Sequence, residues 1–156
     1  MTLLAARVRM LEAGFERIAA TRMAGVPLCH PQLQVAAVGF AAQPGSGGAV
    51  GVLVTPWFMN LVWLPLDAQP ADGVLAVGDT RTRALGPERF DFIGAFEEAI
   101  GPFEACSLFS PMDEFADQAA ALATAEAVLS LLRPPPPPEP VPARRRFLLG
   151  AGRAAV

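Results

Sequence analysis

The chain has no lysine, no tyrosine, one histidine and two cysteines among its 156 residues. Each shortage narrows the chemistry. Without tyrosine there is no phenolic proton donor, and without lysine every basic side chain is a guanidinium. A Ser–His–Asp arrangement would have to use His30, which sits in the proline-bounded connector Pro27–Pro31 (PLCHP). Cys29 beside it makes no nucleophile–base pair, because adjacent residues rarely reach that geometry and no third group orients the ring. Cys29 and Cys106 form no CxxC, and a single histidine leaves too few soft ligands for a closed zinc site. Two cysteines this far apart read as reduced thiols. No apolar run approaches the roughly 18 residues that a membrane span requires. The N-terminal MTLLAARVRMLEAGFERIAA breaks its apolar residues with charges at helical spacing, whereas a secretory segment is continuously apolar. The expectation is a soluble, cytoplasmic protein with no metal site, no cofactor and no stable membrane insertion.

What is present is a hydrophobic body. Apolar residues make up 53% and the mean hydropathy is +0.39, which argues against extensive disorder. Charge is uneven. Residues 1–133 carry eight arginines against fourteen carboxylates, a net −6; residues 134–156 carry four arginines against one glutamate, a net +3. An acidic body with a short basic tail argues against nucleic acid as a partner of the folded part. It permits the tail to lie back on the body, or the body to attract a basic peptide.

The chain is organised around Gly51–Pro65, GVLVTPWFMNLVWLP, which holds both tryptophans and no charge. Gly51–Thr55 and Leu61–Leu64 read as neighbouring antiparallel strands, joined through the bend that Pro56 forces. Val52, Val54 and Val62 are expected to face the helices. Trp57, Phe58 and Trp63 are candidates to face solvent and grip a partner.

Around this stretch the pattern is helix, strands, helix. Thr2 caps a first helix whose stripe is Leu4, Val8, Leu11, Phe15 and Ile18, ended by Gly25 and Pro27. Gln34–Gln43 reads as a strand and Pro44–Gly48 as a glycine-rich turn, giving a three-strand meander. From Asp67 to Glu88 periodicity is lost; Val74–Val77 is expected as a short edge strand and Thr80–Leu85 as irregular. No glycine pattern there matches a phosphate loop. Arg89–Glu97 and Phe103–Phe109 read as strands, with Phe103, Ala105, Ser107 and Phe109 on one face and Glu104, Cys106 and Leu108 on the other. Cys106 is expected as a buried thiol. A second helix is expected to start at Ser110, with Pro111 at its first position, Asp113 completing a capping box, and a stripe of Phe115, Ala119, Leu122, Ala125, Leu129 and Leu132.

Five prolines follow Arg133, so residues 134–143 are expected as an extended polyproline II spacer. Beyond it stands Arg144-Arg145-Arg146-Phe147-Leu148, an R-R-x-F-L sequence that matches the core of the twin-arginine export signal. Such a signal works at the N-terminus ahead of an apolar stretch. At residues 144–156 it is not this chain's own address. Catalytic constellations are missing: Ser107 and Ser110 have structural places, and Asp113–Glu114 complement a helix start.

Taken together, the helix holding Phe15–Glu16, the HPQLQV segment, TPWFMNLVWLP, FEACSLFSPMDEF with its following helix, and the Arg-Arg-x-x-Leu-x-Gly tail resemble the HybE/HupJ family of [NiFe]-hydrogenase assembly chaperones. The resemblance spans nearly the whole chain and departs from it at residues 68–86 and in the long proline run. It implies a non-enzymatic cytoplasmic chaperone that binds hydrogenase subunit precursors, particularly the small subunit with its twin-arginine signal. It also implies the large subunit and a rubredoxin-like accessory protein as possible partners. The implied fold is α+β: an antiparallel sheet of about five strands flanked by an N-terminal and a C-terminal helix, two-layer and secretion-chaperone-like. Residues 1–133 would form the domain, 134–143 the spacer and 144–156 the tail. The expected partner-binding residues are Trp57, Phe58, Trp63, Arg144, Arg145, Phe147 and Leu148. Two other readings stand beside this one: an export-machinery adaptor acting through the tail, and a small hydrolase dependent on His30.

Overall fold

The computed structural model describes residues 1–133; the expected spacer and tail lie outside the described residues. Helix α1 (Leu3–Ala20) comes first, then strands β1 (Ala36–Gln43), β2 (Gly48–Val54), β3 (Met59–Pro65), β4 (Thr80–Leu85), β5 (Glu88–Glu97) and β6 (Gly101–Phe109), then helix α2 (Gln118–Leu132). The strands form one sheet in the order β1-β2-β3-β6-β5-β4, every neighbouring pair antiparallel. Two meanders are thus joined by the β3–β6 pairing. The α+β class with an N- and a C-terminal helix stands; the sheet has six strands where about five were expected.

The extra strand is β4. Its sequence, TRTRAL, puts arginine at alternate positions, which reads as solvent-facing irregular chain. The arginines instead point inward. Arg83, 8% exposed, gives Glu104 two hydrogen bonds, from Nε at 2.8 Å and Nη2 at 3.0 Å, and its guanidinium lies 4.1 Å above the Trp63 ring. Arg81 reaches Glu104 at 3.4 Å and the carbonyls of Asp72 and Gly73. That last contact ties down the connection after β3. Val77 there makes one isolated bridge to Gly94 and no strand.

Strand alternation sends side chains to two separate cores. Val52, Val54, Leu61 and Trp63 pack with Ala121, Ala125, Leu129 and Leu132 of α2. Leu53, Val62 and Leu64 pack with Leu11 and Phe15 of α1. The helices therefore lie on opposite faces of the sheet, so helix–sheet–helix replaces the expected two layers. Val52 and Val54 face α2, and Val62 faces α1. The α1 stripe is as expected, and Thr2 caps it by accepting from Ala5 N–H at 3.0 Å.

The sheet curls over α2 until its edges meet, where Gln43 Nε2 donates to Ala84 O at 3.2 Å. Arg133 closes the end of α2 by donating to Gly39 O and Val50 O. Gly39 (φ +62) sits at a register shift in β1, and a Cβ there would fall 2.5 Å from Leu129. Only glycine suits that backbone and that contact.

Helix α2 starts later than Ser110. Its N-cap is Asp117, which accepts from Ala120 N–H at 2.9 Å. The Ser-Pro-Met-Asp pattern fits a capping box locally, but Met112 (0% exposed) and Phe115 anchor the segment in the core. Phe115 packs edge-on against Phe109, with centroids 5.1 Å apart. The Ser110–Pro111 peptide is cis. Phe109 reaches that core because the β3–β6 register shifts between Met59 and Asn60. The shift takes it off the face it was expected to share with Phe103 and Ala105.

Candidate functional site

Helix α1 covers only part of its face of the sheet. Beyond it, over β6 and β5, Ile93 is 52% exposed and Ala95 and Ala105 are partly exposed. Alternation puts all three on the α1 side: Ile93 pairs with Ala105, and Ala95 with Phe103. Between α1, this bare sheet and the β2–β3 turn lies an open, mostly apolar groove of about 360 Å³. Phe15, Ile18, Trp57, Phe58, Phe103, Ala95 and Ala105 line it; Arg22, Met23, Asn60 and Glu97 complete the lining, with Arg22 and Glu97 ion-paired. A second trough of about 430 Å³ shares Ile18, Arg22 and Glu97 and continues past Arg17 and Glu98.

The turn that carries Trp57 and Phe58 is built by Thr55. Its hydroxyl oxygen accepts the N–H groups of Trp57 at 3.2 Å and Phe58 at 3.0 Å, so the side chain does the work of a backbone carbonyl. Thr55 N–H donates to Phe58 O at 2.8 Å. Pro56 supplies the fixed φ that a turn needs, and its carbonyl accepts His30 N–H at 2.9 Å. From the turn inward the aromatics meet edge to face in series. Trp57–Phe58 centroids are 5.7 Å apart, Phe58–Phe15 5.8 Å and Phe15–Phe103 6.1 Å. Each such pair adds about 0.5–1.5 kcal/mol beyond the area it buries. Trp57 and Phe58 are thereby held rigidly while each stays partly exposed.

Trp63, expected beside them, is not on this surface. It faces the other side of the sheet and is 2% exposed, beneath Arg83 and donating from Nε1 to Ser46 Oγ at 3.1 Å. Strand alternation decides this. Position 63 points toward α2, whereas 57 and 58 lie in the turn. Arg144, Arg145, Phe147 and Leu148 lie outside the described residues. Phe15, Ile18, Phe103, Ala95 and Ala105 were not singled out as binding residues. The signal for the first two was the C-terminal end of the α1 stripe; for the alanines it was small residues on strands that pair.

His30 is a brace. Its Nε2–H donates to Phe115 O at 2.6 Å and its Nδ1 accepts Gln32 N–H at 3.1 Å, so both ring nitrogens are engaged with backbone. Cys106 is partly buried; burial, and then the charge of Asp91, push its thiol pKa up. Arg7 joins α1 to the sheet through Pro65 O at 3.1 Å and Ile100 O at 2.9 Å, and burial lowers its pKa. Among the described residues no three of His, Cys, Asp or Glu converge as metal ligands, and no helix is long and apolar enough to cross a membrane. The arrangement offers rigid aromatics, a shallow apolar floor and a charged rim, which suits it to holding a chain segment.

A family model described as "[NiFe]-hydrogenase assembly, chaperone, HybE" matches residues 6–150. Protein HoxT of Cupriavidus necator is 49% identical over 161 residues, covering 94% of this chain and 90% of that protein. A Rhodobacter capsulatus protein named probable rubredoxin HupJ is 37% identical over 124 residues, covering 80% of this chain and 44% of that protein. The solution structure of HybE from Escherichia coli has the same fold, with a TM-score of 0.65 at 21% identity, covering 88% of this chain and 84% of that one. The resemblance read from TPWFMNLVWLP and FEACSLFSPMDEF is borne out: the chain belongs to the HybE family of chaperones of [NiFe]-hydrogenase assembly.

Proposed function

We propose that the groove on the α1 face holds an apolar segment of a hydrogenase subunit precursor. The preferred client is the small subunit bearing its N-terminal twin-arginine signal. The chaperone binds it in the cytoplasm and keeps it from export until iron–sulfur clusters are inserted and the large subunit has joined. The clusters belong to the client; the chaperone contributes a surface and no chemistry.

The observation that carries this reading is the partly exposed Trp57–Phe58 pair on an open apolar groove. Fixed aromatics at the edge of a groove have the character of binding hot spots, since two side-chain torsions are already ordered before the partner arrives. The charged rim suits a client that presents apolar residues beside arginines. A rubredoxin-like accessory protein is a further expected partner, because the Rhodobacter capsulatus relative carries that name and shares less than half of its length with this chain.

Co-purification tests the reading. Tagged full-length chain, expressed with its hydrogenase, is expected to bring down the small-subunit precursor, and Trp57→Ala is expected to lose it while staying folded. Equal recovery by the folded Trp57→Ala protein would place the client elsewhere.

A further inference from the structure

We propose that this chain's own C-terminal sequence, Arg144-Arg145-Arg146-Phe147-Leu148, docks in the Trp57–Phe58 groove as a tethered pseudo-client that a precursor must displace. The proposal rests on the client-binding reading of that groove and adds its regulation.

Four observations converge. First, the tail carries R-R-x-F-L, the core of the signal that the proposed client presents. Second, the family match runs to residue 150, past the proline run and just beyond this motif, so the tail belongs to the same family unit as the groove. Third, charge is complementary overall: residues 134–156 carry +3 against −6 for residues 1–133, and the groove with its adjoining trough is edged by Glu97 and Glu98 as well as by Arg17 and Arg22. Glu97 already holds one guanidinium, that of Arg22, and exposed Glu98 has no ion-pair partner among the described residues. Fourth, the motif is on a long tether: ten residues, 134–143, separate it from Arg133, a length of about 31 Å when extended as polyproline II.

The cavity at the end of α2, about 240 Å³, is closer to the exit of the chain. Arg133 lines it and no carboxylate does, so it repels a run of arginines. Tethering supplies an effective concentration in the millimolar range, so a weak site suffices for substantial occupancy in the absence of client.

The two tryptophans give a direct test in the full chain. Their indole N–H signals in nitrogen-15 NMR report separately: Trp57 on the groove, and Trp63, bonded to Ser46, as internal control. Both Phe147→Ala/Leu148→Ala and Arg144→Glu/Arg145→Glu are expected to shift the Trp57 signal and the Ala95 and Ala105 methyls, leaving Trp63 in place. No shift at Trp57 in either variant overturns the proposal. So do shifts confined to Ala41, Ala42 and Val50, which mean the α2-end cavity, and so does a wild-type signal that moves on dilution, which means a second copy's tail. None of these readouts involves a client, so they stand whether or not precursors use the groove. Affinity for a synthetic small-subunit signal peptide is a separate readout, expected to rise about two- to tenfold in the Phe147→Ala/Leu148→Ala chain. Failure of Trp57→Ala to alter that affinity would remove the client reading alone.

Discussion

Replacing Glu104 by glutamine keeps the shape of the side chain and removes its charge. Glu104 is 1% exposed and accepts hydrogen bonds from two guanidiniums, Arg83 at 2.8 and 3.0 Å and Arg81 at 3.4 Å. The two arginines differ in their freedom. Arg81 keeps 20% of its side-chain surface and can turn to water; Arg83 keeps 7% and is pinned against Trp63. Glu104→Gln therefore strands one buried cation and sets an amide N–H₂ against guanidinium N–H groups. Breaking such a buried pair costs about 3–5 kcal/mol. For a chain of this size that is a fall in Tm of about 10–15 °C. Urea unfolding followed by far-UV circular dichroism measures it. The double replacement Arg83→Met/Glu104→Leu removes both charges and is expected to be more stable than Glu104→Gln alone. A Glu104→Gln protein within about 1 kcal/mol of wild type would refute the view that this pair holds Trp63 and β4 in the core.

Three further predictions address single side chains elsewhere in the fold. His30→Ala is expected to cost about 1–3 kcal/mol by urea unfolding, since it strands the part-buried Phe115 O and removes the ring's bond to Gln32 N–H; in wild type, long-range nitrogen-15 spectra should find the proton on Nε2 and Nδ1 bare. Gly51→Ala would place a Cβ 2.3 Å from the Phe40 ring and is expected to destabilise by about 1–3 kcal/mol through overpacking, and an unchanged Tm would contradict the contact. Because burial raises the Cys106 pKa, less of it is thiolate at a given pH. In a Cys29→Ser background its alkylation should run slower than that of free cysteine at neutral pH, with the rise in rate displaced to higher pH; a rate at or above free cysteine would contradict this.

Local chemistry made much of the fold legible. The α1 stripe, its Thr2 cap, the Pro56 bend and the strands on either side follow from spacing and turn residues alone. What sequence did not convey was long-range. Trp57 and Trp63 lie six residues apart in one apolar stretch, and nothing local tells the turn residue from the strand residue that Arg83 covers. Arg81 and Arg83 read as solvated because their partner, Glu104, is over twenty residues away. The start of α2 was misplaced because Ser110–Asp113 satisfies a capping pattern that burial of Met112 and Phe115 overrides. The groove was half legible: its aromatics announced themselves, but its alanine floor exists only once β5 pairs with β6 and α1 stops short of them.

The central claim is that the Trp57–Phe58 groove binds precursor signal sequence. Calorimetric titration of the full-length chain with a synthetic small-subunit twin-arginine signal peptide tests it, comparing wild type with Trp57→Ala and with Ala105→Phe, which fills the floor. Loss of a hot-spot aromatic is worth about 2 kcal/mol or more, so in the Phe147→Ala/Leu148→Ala background, where no tail competes, Trp57→Ala should weaken binding about thirtyfold or further, and by less in the otherwise wild-type chain. Ala105→Phe should weaken it as well, and both proteins should keep the wild-type circular dichroism spectrum. Wild-type affinity in both folded variants would contradict the account.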